Sequence, residues 1–169
     1  MAKQLSLRDF QQGLAQRLRE AQAEAEPTSR LGVQAGSLNW LLKLDEAGEM
    51  LPFPEISGVP LTKPWYMGLA NIRGVLASVV DFAAFMGGEQ TVRTPDCRLL
   101  LIAERFHSFS GLLISRMLGL KNVQAMQPSE EAIDRSWIGA VYRDNDGRPW
   151  RELDIGALVV HEDFLQVGA

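Results

Sequence analysis

PLTKPWYMGLANIRGVLASVVDFAAFMGG, running from Pro60 to Gly88, sets the terms on which the rest of the chain is read. Pro60 and Pro64 bracket an extended approach, since each fixes its own φ and pushes the residue before it out of the helical region. Gly68 and Gly74 punctuate a turn-rich segment that holds Asn71 and Arg73. Val75-Leu76-Ala77-Ser78-Val79-Val80 follows, a β-branched run whose length and boundaries suit a largely buried strand. Asp81 is placed to N-cap a short helix over Phe82 to Met86, which Gly87-Gly88 stops. The predicted order is extended arm, tight turn, buried strand, short helix.

Downstream, Glu89 to Pro95 reads as a polar loop. Arg98 to Ala103 and Gly111 to Met117 form a hairpin across a turn at Phe106 to Ser110. Lys121 to Pro128 is an irregular crossing, and Ser129 to Asp134 one helical turn with acids at its start. Trp137 to Tyr142 pairs with Pro149 to Leu153 across Asp144-Asn145-Asp146-Gly147. Asp154 caps a last helix whose Ile155, Leu158, Val159 and Phe164 share a face. Upstream, Leu31 and Val33 precede Gly36, and Leu38, Trp40, Leu41 and Leu42 make a second apolar segment. Asp45 to Gly48 is a turn, and Met50 to Ile56 is extended, with Pro52 and Pro54 barring it from the centre of a sheet. Short strands at short spacing suggest a small barrel or sandwich. Leu5 to Glu26 reads as a helix capped by Ser6. Its Leu7, Phe10, Leu14, Leu18 and Ala21 form one apolar stripe, which packs either on the chain's own sheets or on a partner. The division is a helical extension over 1–27 and one domain over 28–169.

The chain has 169 residues, 46% of them hydrophobic and 22% charged, enough to bury a sizeable core and unlike a disordered class. A net charge of −4 without a Lys/Arg cluster argues against nucleic acid as a partner. One cysteine, Cys97, excludes an internal disulfide and a multi-cysteine zinc site. No secretory signal is visible, and no apolar run approaches the ~20 residues of a membrane helix. The expectation is a cytoplasmic protein without membrane insertion.

Catalytic signals are weak. His107 and His161 lie in different elements without metal-ligand spacing. Asp144-Asn145-Asp146-Gly147 begins like a calcium loop, but Ile155 stands where the closing glutamate belongs. There is no Walker A loop, G-x-S-x-G elbow or G-x-G-x-x-G, so neither a cofactor nor a metal is expected, and no catalytic residue. Asp81 reads as a cap. Arg73, beside Gly74, offers a fork that grips carbonyls or carboxylates. Its target is either the protein's own backbone or an acid such as Asp81, or else a partner. Asn71 suits a turn that satisfies local backbone groups. Trp65, Tyr66 and Met67 suit a protein interface and a covered core edge equally.

Gly68-Leu69-Ala70-Asn71-Ile72-Arg73-Gly74, followed by an apolar strand ending Val80-Asp81, resembles the G-x-x-N-[LI]-R-G…V-D signature of the CheW family, adaptors of bacterial chemosensory arrays. Val59 to Gly68 is similar to the branch of that family attached to type IV pili. Gly111 to Gly119 resembles the family's G-L-L-V-D-x-V-x-G strand, with Ser115 in place of aspartate. Trp150 to Ile155 resembles its closing strand. The resemblance spans about Leu31 to Val167. It implies a mostly β fold of two interlocked, SH3-like, five-stranded barrels with a helix near the C-terminus. It also implies a non-catalytic adaptor that couples the cytoplasmic tip of a methyl-accepting chemoreceptor to the regulatory domain of a CheA-type histidine kinase, in the system governing pilus twitching motility. The implied partner-binding residues are Arg73, Asn71, Gly74, Ile72, Trp65 and Tyr66. The residues alone leave open a small β-barrel ligand-binding domain or an enzyme.

Overall fold

A computed structural model describes residues 28–169. The helix expected over Leu5 to Glu26 and the extension over 1–27 lie outside the described residues. The chain opens with β1 (Ser29–Ala35) and β2 (Leu38–Lys43). It passes through β3 (Ala47–Pro52), β4 (Tyr66–Ile72), β5 (Val75–Asp81), helix α1 (Phe82–Phe85), β6 (Arg98–Ile102) and β7 (Ser110–Ile114). It closes with β8 (Arg116–Asn122), β9 (Gln127–Ser129), β10 (Ile138–Arg143), β11 (Pro149–Leu153), α2 (Ile155–Val159) and α3 (Glu162–Leu165).

Two sheets result. One has the order β8-β1-β2-β11-β10-β9, the other β3-β6-β7-β5-β4. The chain therefore starts in the first sheet, builds the whole of the second, and returns. Within the second sheet, an isolated bridge between Ser57 and Leu69 ties the chain just past β3 to β4, the two ends of the strand order. Pro52 and Pro54 sit at or beyond the end of β3, an edge strand in that order, where a missing N–H costs no ladder bond.

Alternation along the strands explains the core. Val80, Leu100 and Leu112 face the space shared by the two sheets, together with Val33, Trp40, Leu42 and Leu153. Their neighbours Val79, Leu99 and Leu113 point to the other face and form a smaller cluster with Ala70 and Cys97. Both faces of the second sheet are covered, so its strands read as continuous apolar runs rather than alternating ones. Phe85 of α1 is the aromatic hub between the layers. Its ring lies 5.1 Å from Trp65, 5.5 Å from Trp137 and 5.6 Å from Phe164.

Several expectations are corrected. The sheets hold six and five strands instead of five each, because Gln127–Ser129 pairs with β10. The helical turn expected at Ser129 to Asp134 is absent: Ser129 ends β9, and 131–134 has no regular structure. The turn-rich reading of Gly68 to Gly74 holds only at Arg73 and Gly74, because Gly68 to Ile72 belongs to β4, in which Gly68 (φ 131°) forms a bulge opposite β5. A Cβ there would lie 2.1 Å from the Ser57 carbonyl oxygen, so glycine admits the bridge that joins the sheet's ends. The strand expected over Gly111 to Met117 breaks at Ser115, where the chain leaves one sheet for the other. The Ser115 N–H donates to the Gln34 carbonyl at 2.8 Å, and its Oγ accepts from the Gly36 N–H at 3.0 Å. A short polar side chain thus serves where the related motif carries aspartate. The last helix is split in two, and His161 caps α3 by accepting from the Asp163 N–H.

Candidate functional site: the tip of the β4–β5 hairpin

Ile72 pairs with Val75, so β4 and β5 are joined by a two-residue turn, Arg73-Gly74. Both residues have positive φ, 53° and 86°, the backbone of a type I′ turn matched to the twist of the flanking strands. Asn71 Oδ1 accepts from the Gly74 N–H at 2.8 Å and holds the turn from within. The motif's asparagine and glycine are therefore demands of one tight hairpin, with the arginine carried at the turn between them.

Arg73 reaches across to β3. Its two terminal nitrogens donate to the two Glu49 oxygens at 2.6 and 2.5 Å. The hydrogen bonds, then the charge of Glu49, raise the guanidinium above its ordinary pKa. Asp81, the acid named from sequence, is not the counter-ion. It is buried, caps α1 through the Ala84 N–H, and accepts from the Thr91 N–H at 2.7 Å and the Thr91 hydroxyl at 2.8 Å. The Arg73 side chain is 72% exposed, so water and salt screen the pair and it adds little to stability. Beside it, Val75 (48% exposed) and Leu76 (61%) lie open on the start of β5. That strand is buried only from Ala77 onward, so the largely buried reading fails at its first two positions. The tip offers an apolar pair rimmed by a preorganised guanidinium–carboxylate fork, the composition of a protein-recognition patch.

The six expected contact residues separate into two groups. Asn71, Ile72, Arg73 and Gly74 share the tip. Trp65 and Tyr66 lie at the other end of β4, roughly 20 Å away at the rise of a strand, and pack against the main core. Trp65 meets Phe85 edge-on, and the Tyr66 hydroxyl is 3.0 Å from Ser78 Oγ. Sequence reasoning missed Glu49, Val75 and Leu76. The legible signal was the hairpin itself: a two-residue turn brings the residues just after Gly74 to the same tip as Asn71.

The remaining candidates are structural. Asp144 Oδ1 accepts from the Asp146 and Arg148 N–H groups, and Oδ2 from Trp150 Nε1 at 3.0 Å. The indole bond, then the Arg148 amide, hold this carboxyl below its usual pKa. It locks the β10–β11 turn. Cys97 is buried, its thiol donating to the Val92 carbonyl. Among the described residues no group of three His, Cys, Asp or Glu is gathered as for a metal, and no helix is long and apolar enough to cross a membrane. A depression of about 570 Å³ lies among Phe53, Pro54, Glu55, Ile56, Met67 and Arg93. Arg93 stacks on Phe53 at 4.3 Å, and the lining brings together no nucleophile and base.

The sequence model of the CheW-like domain matches residues 30–163. The chain is 29% identical to Protein PilI of Pseudomonas aeruginosa over 154 residues, covering 87% of this chain and 84% of that protein. The fold is similar to the scaffolding protein TtCheW from Thermoanaerobacter tengcongensis, with a TM-score of 0.62 at 14% identity, over 76% of this chain and 89% of that one.

Proposed function

The chain belongs to the CheW-like domain family, and from that premise we propose that it is a non-catalytic chemosensory adaptor of the system that controls type IV pilus twitching motility. It works in the cytoplasm, at receptor arrays that it joins through its partners. It couples the cytoplasmic tip of a methyl-accepting chemoreceptor to the regulatory domain of a CheA-type histidine kinase. The similarity to PilI supports the pilus assignment, and the two sheets are read as the two SH3-like barrels of the family.

The observation that carries the reading is the hairpin tip. Val75 and Leu76 are exposed next to an arginine that Glu49 holds in one geometry. An ordered cation beside apolar side chains recognises a protein surface at low entropic cost. Asn71, Ile72 and Gly74 shape the patch, and Trp65 and Tyr66 support it from the far end of β4.

The test is calorimetric titration of the protein against the kinase regulatory domain and the receptor tip from the same chemosensory operon. Saturable binding in the micromolar range, about 8 kcal/mol, is expected. Arg73→Ala should weaken binding to one partner by about tenfold with the melting temperature nearly unchanged. An equal loss of folding and binding would return Arg73 to a purely structural role. A folded sample that binds neither partner would remove the adaptor reading.

A further inference from the structure

A guanidinium stands on the core-facing side of the six-stranded sheet. β11 runs parallel to β2 with Leu153 opposite Leu42, both in the main core. Two residues back along each strand, Arg151 is opposite Trp40, and alternation puts both on that same face. On its other side Arg151 is opposite Val141 of β10, which is also buried in the main core. An apolar side chain would fill this position without cost. The Arg151 side chain donates no hydrogen bond among the described residues, and its ion pair with Glu131 is long, 3.6 Å from Nη2 to Oε2. That carboxylate is already engaged, since its Oε1 accepts from Arg143 Nη2 at 2.5 Å. Arg151 Nη1 is buried without an acceptor, and so is Nε1 of the neighbouring Trp40.

We propose that Arg151 and Trp40 form a binding site for a small oxyanion, of the class to which carboxylate and phosphate groups belong. Buried polar atoms of folded proteins nearly always have a partner, and an unsatisfied one points to a bound ion or water. Charge selects the ion. Arg143 and Arg151 share the single carboxylate of Glu131, which leaves one positive charge in excess. The Arg151 side chain is only 26% exposed, and a cation withdrawn from water without a matching anion is costly. A water molecule would not neutralise it. Donor chemistry selects the oxygens. A planar guanidinium offers parallel N–H groups to two oxygens at once, and an indole N–H donates and cannot accept. A ligand made of acceptors satisfies both. Glu131 competes for the same guanidinium from the stretch 130–134, which has no regular structure, so it tunes the affinity of the site. The inference does not rest on the adaptor reading.

The test is an NMR titration of the full chain with sodium phosphate and, separately, with sodium acetate, at an ionic strength held constant with sodium chloride. The Trp40 indole N–H resonance should move and saturate in the millimolar range with at least one of them. Which anion answers tells a phosphate site from a carboxylate site. Arg151→Leu should abolish the movement, with the β6 amide resonances in place as the control for folding. Glu131→Gln removes the competing carboxylate and leaves Arg151 intact, so it should bind the anion several-fold more tightly. A Trp40 resonance that answers neither anion in the folded wild type would assign the two donors to buried water and overturn the proposal. So would an equal response in wild type and Arg151→Leu, the mark of an adventitious ion only. Unchanged or weaker binding in Glu131→Gln would overturn it as well.

Discussion

Arg73 occupies a position that a hairpin of this kind would sooner give to asparagine. Type I′ turns need φ > 0 at both central residues, and Asn-Gly is the favoured pair. The Cβ of arginine carries a backbone penalty at φ 53°, and among the described residues its anchor is an exposed ion pair that water and salt screen. The residue is therefore poorly explained by folding alone. Arg73→Asn is expected to leave the protein as stable as wild type or up to about 1 kcal/mol more stable, measured by urea unfolding, while losing partner affinity as Arg73→Ala does. A clear loss of stability would show that the Glu49 bridge holds the sheet together. From sequence, Arg73 was visible as a candidate because a guanidinium fork beside Gly74 in a turn can grip carbonyls or carboxylates. Its counter-ion was not, because Glu49 lies 24 positions away and meets it only when β3 and β4 close on one another.

At the level of elements, local signals were legible where one residue dictates one local bond. Asp81 and Asp154 both cap helices through their carboxylates, as their places ahead of apolar runs required. Asp81 does more than its position revealed, since it also fixes Thr91 across the loop that follows α1. Asp81→Ala should lower stability by roughly 2–4 kcal/mol, combining a lost cap with an unsatisfied amide. Urea denaturation would measure it, and a change under 1 kcal/mol would mean that water replaces both roles. Strand limits were less legible. Gly111 to Met117 is one apolar run in sequence, yet Ser115 divides it between two sheets through bonds to Gln34 and Gly36, about 80 residues earlier in the chain. Ser129 to Asp134 carries the polar signature of a helix start and forms none, because Ser129 is taken up by pairing with Val141.

For the molecule as a whole, the order of the strands makes the two sheets interdependent. The second sheet is inserted between β2 and β8 of the first, and one core serves both. Unfolding should therefore be a single transition, with far-ultraviolet dichroism and tryptophan fluorescence coincident. Phe85→Ala, which empties the hub between Trp65, Trp137 and Phe164, should cost about 3–5 kcal/mol and shift both signals together. Separate transitions would show two independently stable sheets. The sequence by itself determined the mostly β class, the family, the capped helices and the motif at the hairpin, because each is written in neighbouring residues through turn chemistry, capping and apolar periodicity. Only the tertiary structure decided that β2 and β11 lie side by side in parallel, that Glu49 receives Arg73, that Trp65 and Tyr66 face inward while Val75 and Leu76 face out, and that β8 is an outer strand of the six-stranded sheet among the described residues. Those outcomes depend on which distant strands share a ladder and which face of each is covered, and no local run of residues encodes either.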